Sequence, residues 1–600
     1  MTDIDWAIVA LYMVATLGLG VYLARRASGS LVDFFVGGRA LPWWLAGTSM
    51  AATTFSVDTP LYIAGLVGER GIAGNWEWWN FAIAHVILIY IFARFWRRAE
   101  IVTDAEVTEL RYGGRPAAVL RGTKSFLFAV IVNSVGIGYA MLAMVKVVDA
   151  LQIYEGLGLD VGEEAKLWSI VGVSVLVLAY AGVAGLWGVV ATDFLQFFLG
   201  LFGAVVVAVI AVAHVGGLGE VVAGAQRITG HDILSFTPLT FTDGTLGVSS
   251  FAQITGTMFL GYVLVQWWAF RRSDGGGEFV QRLAACRNER DAYKAAWFFN
   301  VMNYIVRTWP WVLVALVAVV VYPELDDREL GYPLLMIDFL PAGLLGIVVA
   351  SLVAAFMSTV STLINWGASY ITNDLYARFM RPEASQRELV AAGRIFSILI
   401  TALGAVAAFY SESVGTVFQL IIAIGTGPGL VLILRWFWWR INAWAELAAM
   451  VAGLLVGFGT SVVPVINIED FGIRLMVTAG ITTAIWVPVM LLTKPEPDGK
   501  LDDFYRRVRP GGPGWRRQRD RTGVPAAEDL GRDLVRVVAA LMILFGAMFA
   551  IGGALLLRWP VFAAMTVLAL AGGIWLRALG RPESAPPLPE PATHPVNGRA

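Results

Sequence analysis

Charge is scarce in this 600-residue sequence: only 15% of its residues are Asp, Glu, Lys or Arg, whereas soluble domains carry about 25%. The formal net charge is −1, so no general attraction to nucleic acid is expected. The single cysteine, Cys286, excludes an internal disulfide. The four histidines are dispersed, and no HxxxH pair or cysteine cluster indicates a metal centre. We find no nucleophile elbow, and we expect neither enzyme activity nor an organic cofactor.

Apolar residues are abundant instead: they make up 58% of the sequence, and the mean hydropathy is +0.69. This composition predicts an all-α polytopic protein embedded in the lipid bilayer. Fifteen segments are long enough to span a bilayer, near residues 6–24, 41–66, 77–97, 124–149, 166–186, 188–214, 250–270, 293–322, 337–373, 391–410, 413–436, 441–464, 471–493, 532–556 and 559–577.

The basic residues predict an orientation. Arginines concentrate after the first, third, seventh, ninth and thirteenth segments, which all fall on one side if the segments alternate. The loops on the other side, such as 154–164 and 323–327, are poor in Arg and Lys. Because cytoplasmic loops carry the excess of positive charge, we expect the N-terminus outside and the C-terminus inside.

The second segment, LPWWLAGTSMAATTFSVDTPLYIAGL, is long enough to span but is interrupted by the polar stretch TTFSVDTP. Pro60 disfavours a helical conformation at Thr59 and removes one backbone donor. A helix broken in the membrane is tolerated only where its freed backbone groups face protein or a water-filled cavity. The interruption indicates either an ion or solute site or a kink without a ligand.

The ninth segment carries hydroxyl groups on one helical face. Ser358, Ser361, Thr362 and Asn365 recur at spacings of three and four, with Thr359 on the flank. Such a stripe serves either close helix packing or a cation site, since hydroxyl and carbonyl oxygens are ligands for a hard ion. The residues alone leave both alternatives open.

Several motifs occur together in a particular order: FFVGGRALPWWLAGTSMAATTFS, TELRYGG at 108–114, GLWGVVATDFLQF at 185–197, QRLAACRNERDA at 281–292 and LVAAFMSTVSTLINWGASYITNDLY. Over roughly residues 5–490 the sequence resembles the sodium:solute symporter family. The resemblance implies an inverted five-plus-five helix repeat of the LeuT type, with extra flanking helices and about fifteen transmembrane spans.

This plan divides the chain into seven parts. They are an extra span and cytoplasmic loop at 1–40, the first repeat at 41–214, the second repeat at 250–436, two additional spans at 437–493, a cytoplasmic linker at 494–531, two C-terminal spans at 532–578 and a disordered tail at 579–600.

The resemblance also implies a sodium site. Its ligands would be the carbonyl oxygens of Ala52, Phe55 and Ala355 and the hydroxyl oxygens of Ser358 and Thr359. Na⁺ would be the coupling ion and the one metal involved.

A second sodium is implied between Asp193 and the hydroxyl groups of Ser358, Ser361 and Thr362. An acid inside an apolar span is functional by default. Alternatively, Asp193 lies near the end of its helix, where it is solvated or paired.

The substrate is expected between two broken helices. The candidates are Ser56, Asp58, Thr59, Glu77, Gln266, Trp267, Asn303, Arg307 and Gln419. Glu77 resembles a sugar-binding position of the family but could equally be a charge at the membrane edge. Arg307 would bind a substrate carboxylate or pair with Asp193 or Glu77.

Together these features predict a sodium-coupled symporter in the cell (inner or plasma) membrane. It would import a sugar, amino acid or carboxylate by alternating access, with the solute and the bilayer as partners and no nucleic acid or obligatory protein partner. The alternatives are a proton-coupled or exchange carrier on the same fold, and a membrane sensor or regulatory subunit.

Overall fold

The computed structural model describes residues 1–24, 35–156, 158–229, 233–242, 245–248 and 254–580. These residues are mostly helical, which confirms the predicted class. One antiparallel hairpin, which the sequence analysis did not predict, pairs β1 (Leu239–Thr242) with β2 (Thr245–Val248). Residues 25–34 of the N-terminal loop and 581–600 of the predicted tail lie outside the described part of the chain.

The helices of seven residues or more follow in chain order. They are α1 (Asp3–Ala24), α2 (Trp43–Thr53), α3 (Asp58–Arg70), α4 (Ile72–Ala99), α5 (Gly114–Ala150), α6 (Ala165–Val215), α7 (Leu218–Thr229), α8 (256–269), α9 (Glu278–Ala285), α10 (Glu289–Val321), α11 (Gly331–Phe339), α12 (Leu344–Met380), α13 (Gln386–Phe409), α14 (Val414–Gly425), α15 (Gly429–Phe437), α16 (Ala443–Val462), α17 (Phe471–Leu492), α18 (Asp498–Val508), α19 (Arg516–Thr522), α20 (Leu530–Leu555) and α21 (Trp559–Leu579).

The predicted count of about fifteen spans is not confirmed. In the described residues, ten helices are long and apolar enough to cross a membrane. Part of the difference arises because two predicted spans are divided into shorter helices, α2 with α3 and α14 with α15, and because the seventh corresponds to the short helix α8. In addition, α6 joins two predicted segments in one 51-residue helix.

The break in the second span is confirmed, but its position differs from the prediction. The helix stops at Thr53 and resumes at Asp58, so Thr59 is helical. Pro60 lies in the first turn of α3, where its missing N–H would have no intrahelical partner in any case. The prediction that Pro60 keeps Thr59 out of the helix was therefore wrong.

The polar residues 253–257 and Gly261 predict an interruption of the seventh segment. Residue 253 lies outside the described residues, and α8 begins at Gly256 and continues through Gly261 in a π-helical turn, so no break occurs at that glycine. The chain leaves the helix after Ala269 and re-enters one at Glu278. Gly275 and Gly277, both at positive φ, form the loop between them. This loop closes one end of the central cavity described below.

The segment 494–531, predicted to be a linker, is folded against the rest of the molecule. Trp515 and Phe504 are buried, and the Arg111 guanidinium lies 4.8 Å and 5.3 Å from the centres of their rings. Arg111 also donates to the Arg435 carbonyl. The face formed by this segment and by the Arg94–Arg98 end of α4 is called the arginine-rich face below.

The C-terminal helices pack on one side of the bundle. Trp309 of α10 donates to the Met548 carbonyl of α20 at 2.8 Å, and Arg94 of α4 pairs with Asp533 at 2.5 Å. Helix α21 packs chiefly on α20. The pair therefore supports the two helices, α4 and α10, that form part of the cavity wall.

Candidate sodium and substrate sites

The hydroxyl stripe of the ninth segment lies on α12 and is fully enclosed. All five predicted side chains, Ser358, Thr359, Ser361, Thr362 and Asn365, are at most 8% exposed. Their partners come from α2, α6 and α9. The predicted helical face is thus confirmed, and it meets the broken second span.

The first predicted sodium set lies where α12 contacts the end of α2. Thr359 Oγ1 donates to the Thr53 carbonyl at 3.0 Å, next to the buried Ala52. Phe55 follows within the break and is 3% exposed. One carbonyl group at the end of α2 and one hydroxyl group of α12 therefore face one another. Carbonyl and hydroxyl oxygens are donors of the kind that a hard cation takes, and the five-ligand sodium site stays a prediction.

The Phe55 ring is accommodated by a glycine of α6. A Cβ added to Gly200 would lie 2.5 Å from the Phe55 ring, closer than any two carbons can pack. The ring also packs against Phe197 and Trp311. The position of the Phe55 backbone thus depends on close approach of α6.

The second predicted set also comes together, but with a residue that the sequence analysis did not assign. Asp193 Oδ1 accepts from Ser358 at 2.6 Å, and the other oxygen accepts from Ser49. The Arg282 guanidinium of α9 lies 3.9 Å from Asp193 and donates to Thr362 at 2.6 Å. Asp193 is 0% exposed and lies inside α6 rather than near its end. It is paired with Arg282 rather than solvated, and the second sodium stays a prediction.

Ser361, the remaining member of this set, donates to the Ser358 carbonyl at 3.2 Å. The cluster therefore already contains a positive charge from the chain. No local pattern in the sequence reveals this, because Arg282 and Asp193 are 89 residues apart and belong to different helices. The signal was present only as the QRLAACRNERDA motif, to which no role was given.

A cavity of about 220 Å³ lies between the two broken helices. Six of the predicted substrate residues line it: Ser56, Asp58, Thr59, Trp267, Asn303 and Arg307. Thr53 and Thr359, which join the break to α12, line it as well. The predicted sodium ligand Thr359 and six of the predicted substrate residues thus line the same cavity.

Glu77, Gln266 and Gln419 form a separate cluster that is not part of the cavity wall. The Glu77 carboxylate accepts from Tyr62 at 2.8 Å, Tyr262 at 2.9 Å and Arg70 at 2.8 Å. Gln419 donates to the same carboxylate at 3.2 Å and Gln266 to the Glu77 backbone carbonyl at 2.8 Å. Glu77 is buried and fully partnered rather than a charge at the membrane edge, and it ties α3, α4, α8 and α14 together.

The sequence analysis missed other members of the cavity wall. These members include several aromatic rings, among them Trp78, Phe81, Phe270, Phe279 and Phe418. His85 hydrogen-bonds Tyr304 through Nδ1 at 2.7 Å. Arg271, Arg272 and Glu278 come from the stretch RRSDGGGEF in the seventh-span break. Two adjacent arginines followed by three glycines were the signal that could have drawn attention to this loop.

Comparison with known proteins establishes the family to which this chain belongs. The model described as "Sodium:solute symporter family" matches residues 34–453. The chain belongs to the sodium:solute symporter family. A member of this family is a transporter, so the prediction that the chain is not an enzyme is confirmed, as is its multi-pass membrane character.

Relatives within the family are sugar cotransporters. A sodium/glucose cotransporter of Vibrio parahaemolyticus is 25% identical over 481 residues, which cover 76% of this chain and 84% of the relative. Sodium/glucose cotransporter 4 of Danio rerio is 27% identical over 491 residues, covering 76% and 71%. A sodium/mannose cotransporter of Bos taurus is 25% identical over 492 residues, covering 76% and 78%.

Among solved structures, a Na⁺-coupled sialic acid symporter in a substrate-bound outward-open state superposes with a TM-score of 0.63. Its sequence is 20% identical, and the match covers 83% of this chain and 99% of that chain. This likeness confirms the LeuT-type fold. The division into inverted repeats at 41–214 and 250–436 stays a prediction.

Proposed function

We propose that this symporter couples the inward movement of Na⁺ to the import of a small polar solute through the central cavity. One observation supports the proposal most: Thr359 contacts the carbonyl group of Thr53, and both residues also line the cavity. An ion bound by Ala52, Phe55, Ala355, Ser358 and Thr359 would hold the break against α12. It would thereby fix one wall of the solute site.

Coupling follows from that shared wall. Sodium orders the Thr53–Thr359 contact, so a solute that binds the ordered wall binds more tightly when sodium is present. By linkage, the solute raises the affinity for sodium by the same factor. Transport then requires that the two repeats rock around the occupied site. The arginine-rich face is the cytoplasmic one in this proposal, which sets the direction of import.

The cluster at Asp193 is a second candidate sodium site, since Asp193, Ser358, Ser361 and Thr362 lie together. Arg282 already supplies a cation there. We propose that a second sodium competes with this guanidinium and that the first site carries the basic coupling.

The first test is thermal unfolding of the detergent-purified full chain against Na⁺, with K⁺ at equal ionic strength. A ligand that binds only the folded state stabilises it by about 2.7 kcal/mol at a hundred times its Kd. Sodium should raise the unfolding midpoint of the wild type, whereas Thr359→Ala, which lacks one ligand oxygen, should lose most of the shift.

The matched control is Ser369→Ala on the same helix, because the Ser369 hydroxyl bonds only its own helix at Trp366. This variant should respond to sodium as the wild type does. Equal shifts from Na⁺ and K⁺ in a monodisperse wild type would overturn the proposal. They would favour the proton-coupled or exchange carrier, or the sensor, instead.

A further inference from the structure

The charges on the wall of the cavity do not cancel. Five charged side chains line it: Asp58, Arg271, Arg272, Glu278 and Arg307. Arg272 and Glu278 form an ion pair at 2.6 Å. This pair leaves two guanidinium groups against one carboxylate, an excess of one positive charge.

Arg307 is 3% exposed and forms no ion pair within the described residues. Its contacts are the carbonyl groups of Asn303 at 3.2 Å and Ala51 at 3.4 Å. The guanidinium lies over the ring of Trp311, 5.3 Å from its centre. Carbonyl groups and a ring face solvate a cation without neutralising it.

Arg271 is in the same situation. It is 4% exposed, it takes part in no ion pair in the described part of the chain, and its Nε has no hydrogen-bond partner there. Its guanidinium lies between the rings of Phe128, Trp366 and Phe270, at 5.3 Å, 5.6 Å and 5.7 Å from their centres. A buried charge without a counter-charge is costly, so an anionic ligand is the natural complement.

Asp58 and Ser56 favour a different kind of ligand group, namely a hydrogen-bond donor. Asp58 Oδ1 and Ser56 Oγ are buried and lack a hydrogen-bond partner among the described residues. The Ser56 and Tyr139 hydroxyl groups lie beside the Asp58 carboxylate. Because a carboxylate oxygen only accepts, the open Oδ1 can take a further donor from the ligand. Hydroxyl groups satisfy both positions, because they donate to the carboxylate and exchange hydrogen bonds with the serine.

We infer that the solute is a sugar acid: a hydroxylated compound with one carboxylate, which Arg307 and Arg271 bind while Asp58 and Ser56 bind its hydroxyl groups. This inference rests on the proposed function and deepens it. A neutral sugar would leave both guanidinium groups without an anion. A zwitterionic amino acid, with no net charge, would leave the excess positive charge in place.

Size and shape agree with such a ligand. The cavity, about 220 Å³, is smaller than the roughly 300–1,000 Å³ of pockets that take drug-sized ligands. The apolar part of its wall includes aromatic rings, among them Trp78 and Trp267, and such rings pack against the flat C–H faces of a sugar ring. The polar groups then select the substituents.

The test compares D-glucuronate with D-glucose, which differ only at C6, by thermal unfolding of the purified full chain in saturating Na⁺. L-Alanine and L-glutamate complete the panel. Glucuronate should bind at least tenfold more tightly than glucose and more tightly than either amino acid. Arg307→Gln should weaken glucuronate binding about tenfold to a hundredfold, the range for a charge-assisted hydrogen bond.

Arg474→Gln is the matched control, because Arg474 lies in α17 and donates to the Ile468 carbonyl rather than lining the cavity. Glucuronate binding should be unchanged in it. Glucose binding as tightly as glucuronate, an amino acid binding more tightly, or no binding by either sugar would each overturn the inference. These comparisons use the wild type alone, so they decide the matter even if Arg307→Gln does not fold.

The two proposals fail separately. Stabilisation by Na⁺ without any solute is measured first and belongs to the proposed function. If sodium stabilises the protein and the sugar acid does not, only the choice of solute is wrong.

Discussion

At the scale of single residues, the ion pair of Asp193 and Arg282 sets the electrostatics of the region between α2, α6, α9 and α12. Both side chains are fully buried, and a charge inside the membrane is stable only when compensated. The hydrogen bonds from Ser49, Ser358 and Arg282 hold four helices, α2, α6, α9 and α12, in register. A change in this pair therefore changes both packing and cation binding.

We predict that Arg282→Gln increases the number of sodium ions bound. Without the guanidinium, Asp193 has no counter-charge and can recruit a cation. The sodium linkage coefficient, which is the slope of the unfolding free energy against RT ln[Na⁺] at high sodium, should rise from near one toward two. Arg282→Lys, which keeps the charge, should behave as the wild type does. A folded Arg282→Gln variant with an unchanged coefficient would show that the Asp193 cluster does not take a second sodium.

Residue-level prediction succeeded where a local pattern was enough. The spacing of Ser358, Ser361 and Thr362 fixed one face of a helix, and the family resemblance linked that face to Asp193. Arg282, which contacts Asp193 from another helix, could not be predicted because no periodic pattern in the sequence relates the two residues. Glu77 shows the same limit: three of its partners, Tyr262, Gln266 and Gln419, come from distant segments, so sequence could not reveal that it is enclosed away from the cavity.

At the scale of elements, the approach of α6 to the broken second span depends on Gly200. Glycine in a helix is usually a cost of roughly 0.5–1 kcal/mol relative to alanine. Here the missing Cβ leaves room for the Phe55 ring. Gly200 thus lowers the intrinsic helix propensity of α6 but allows this helix to contact the break in the second span.

We predict that Gly200→Ala weakens sodium binding by displacing Phe55 and its carbonyl group. The midpoint of sodium-dependent stabilisation should move to higher concentration, and the unfolding temperature should fall. Gly480→Ala is the control, since a Cβ at Gly480 in α17 meets no atom within 4 Å. That variant should be unchanged or slightly more stable. An equal effect of both substitutions would argue against a role for close packing at Gly200.

Elements were predicted well where hydropathy determines them and less well where the chain breaks. The long spans α4, α5, α10 and α12 match apolar runs. The breaks depend on tertiary contacts: Pro60 is accommodated in the first turn of α3, and Gly275 and Gly277 shape a loop whose role as a cavity floor no local rule reveals.

At the scale of the whole molecule, the distribution of arginine predicts which face is cytoplasmic. Asp326 is exposed on the loop between α10 and α11, and Asp503 is exposed on α18 of the arginine-rich face. In intact cells, a membrane-impermeant thiol reagent should label Asp326→Cys and should reach Asp503→Cys only after lysis. Labelling in the reverse order would invert the orientation and the direction of import.

The buried position of Cys286 has a practical consequence. Its side chain is 0% exposed, and burial raises the pKa of the thiol, so the reactive thiolate is scarce in the native protein. A fluorogenic maleimide should therefore remain non-fluorescent until the chain unfolds, and one dye should then react with the Cys286 thiol of each molecule. The transporter thus carries its own stoichiometric fluorescence reporter for ligand screening, with no added label and no engineered site.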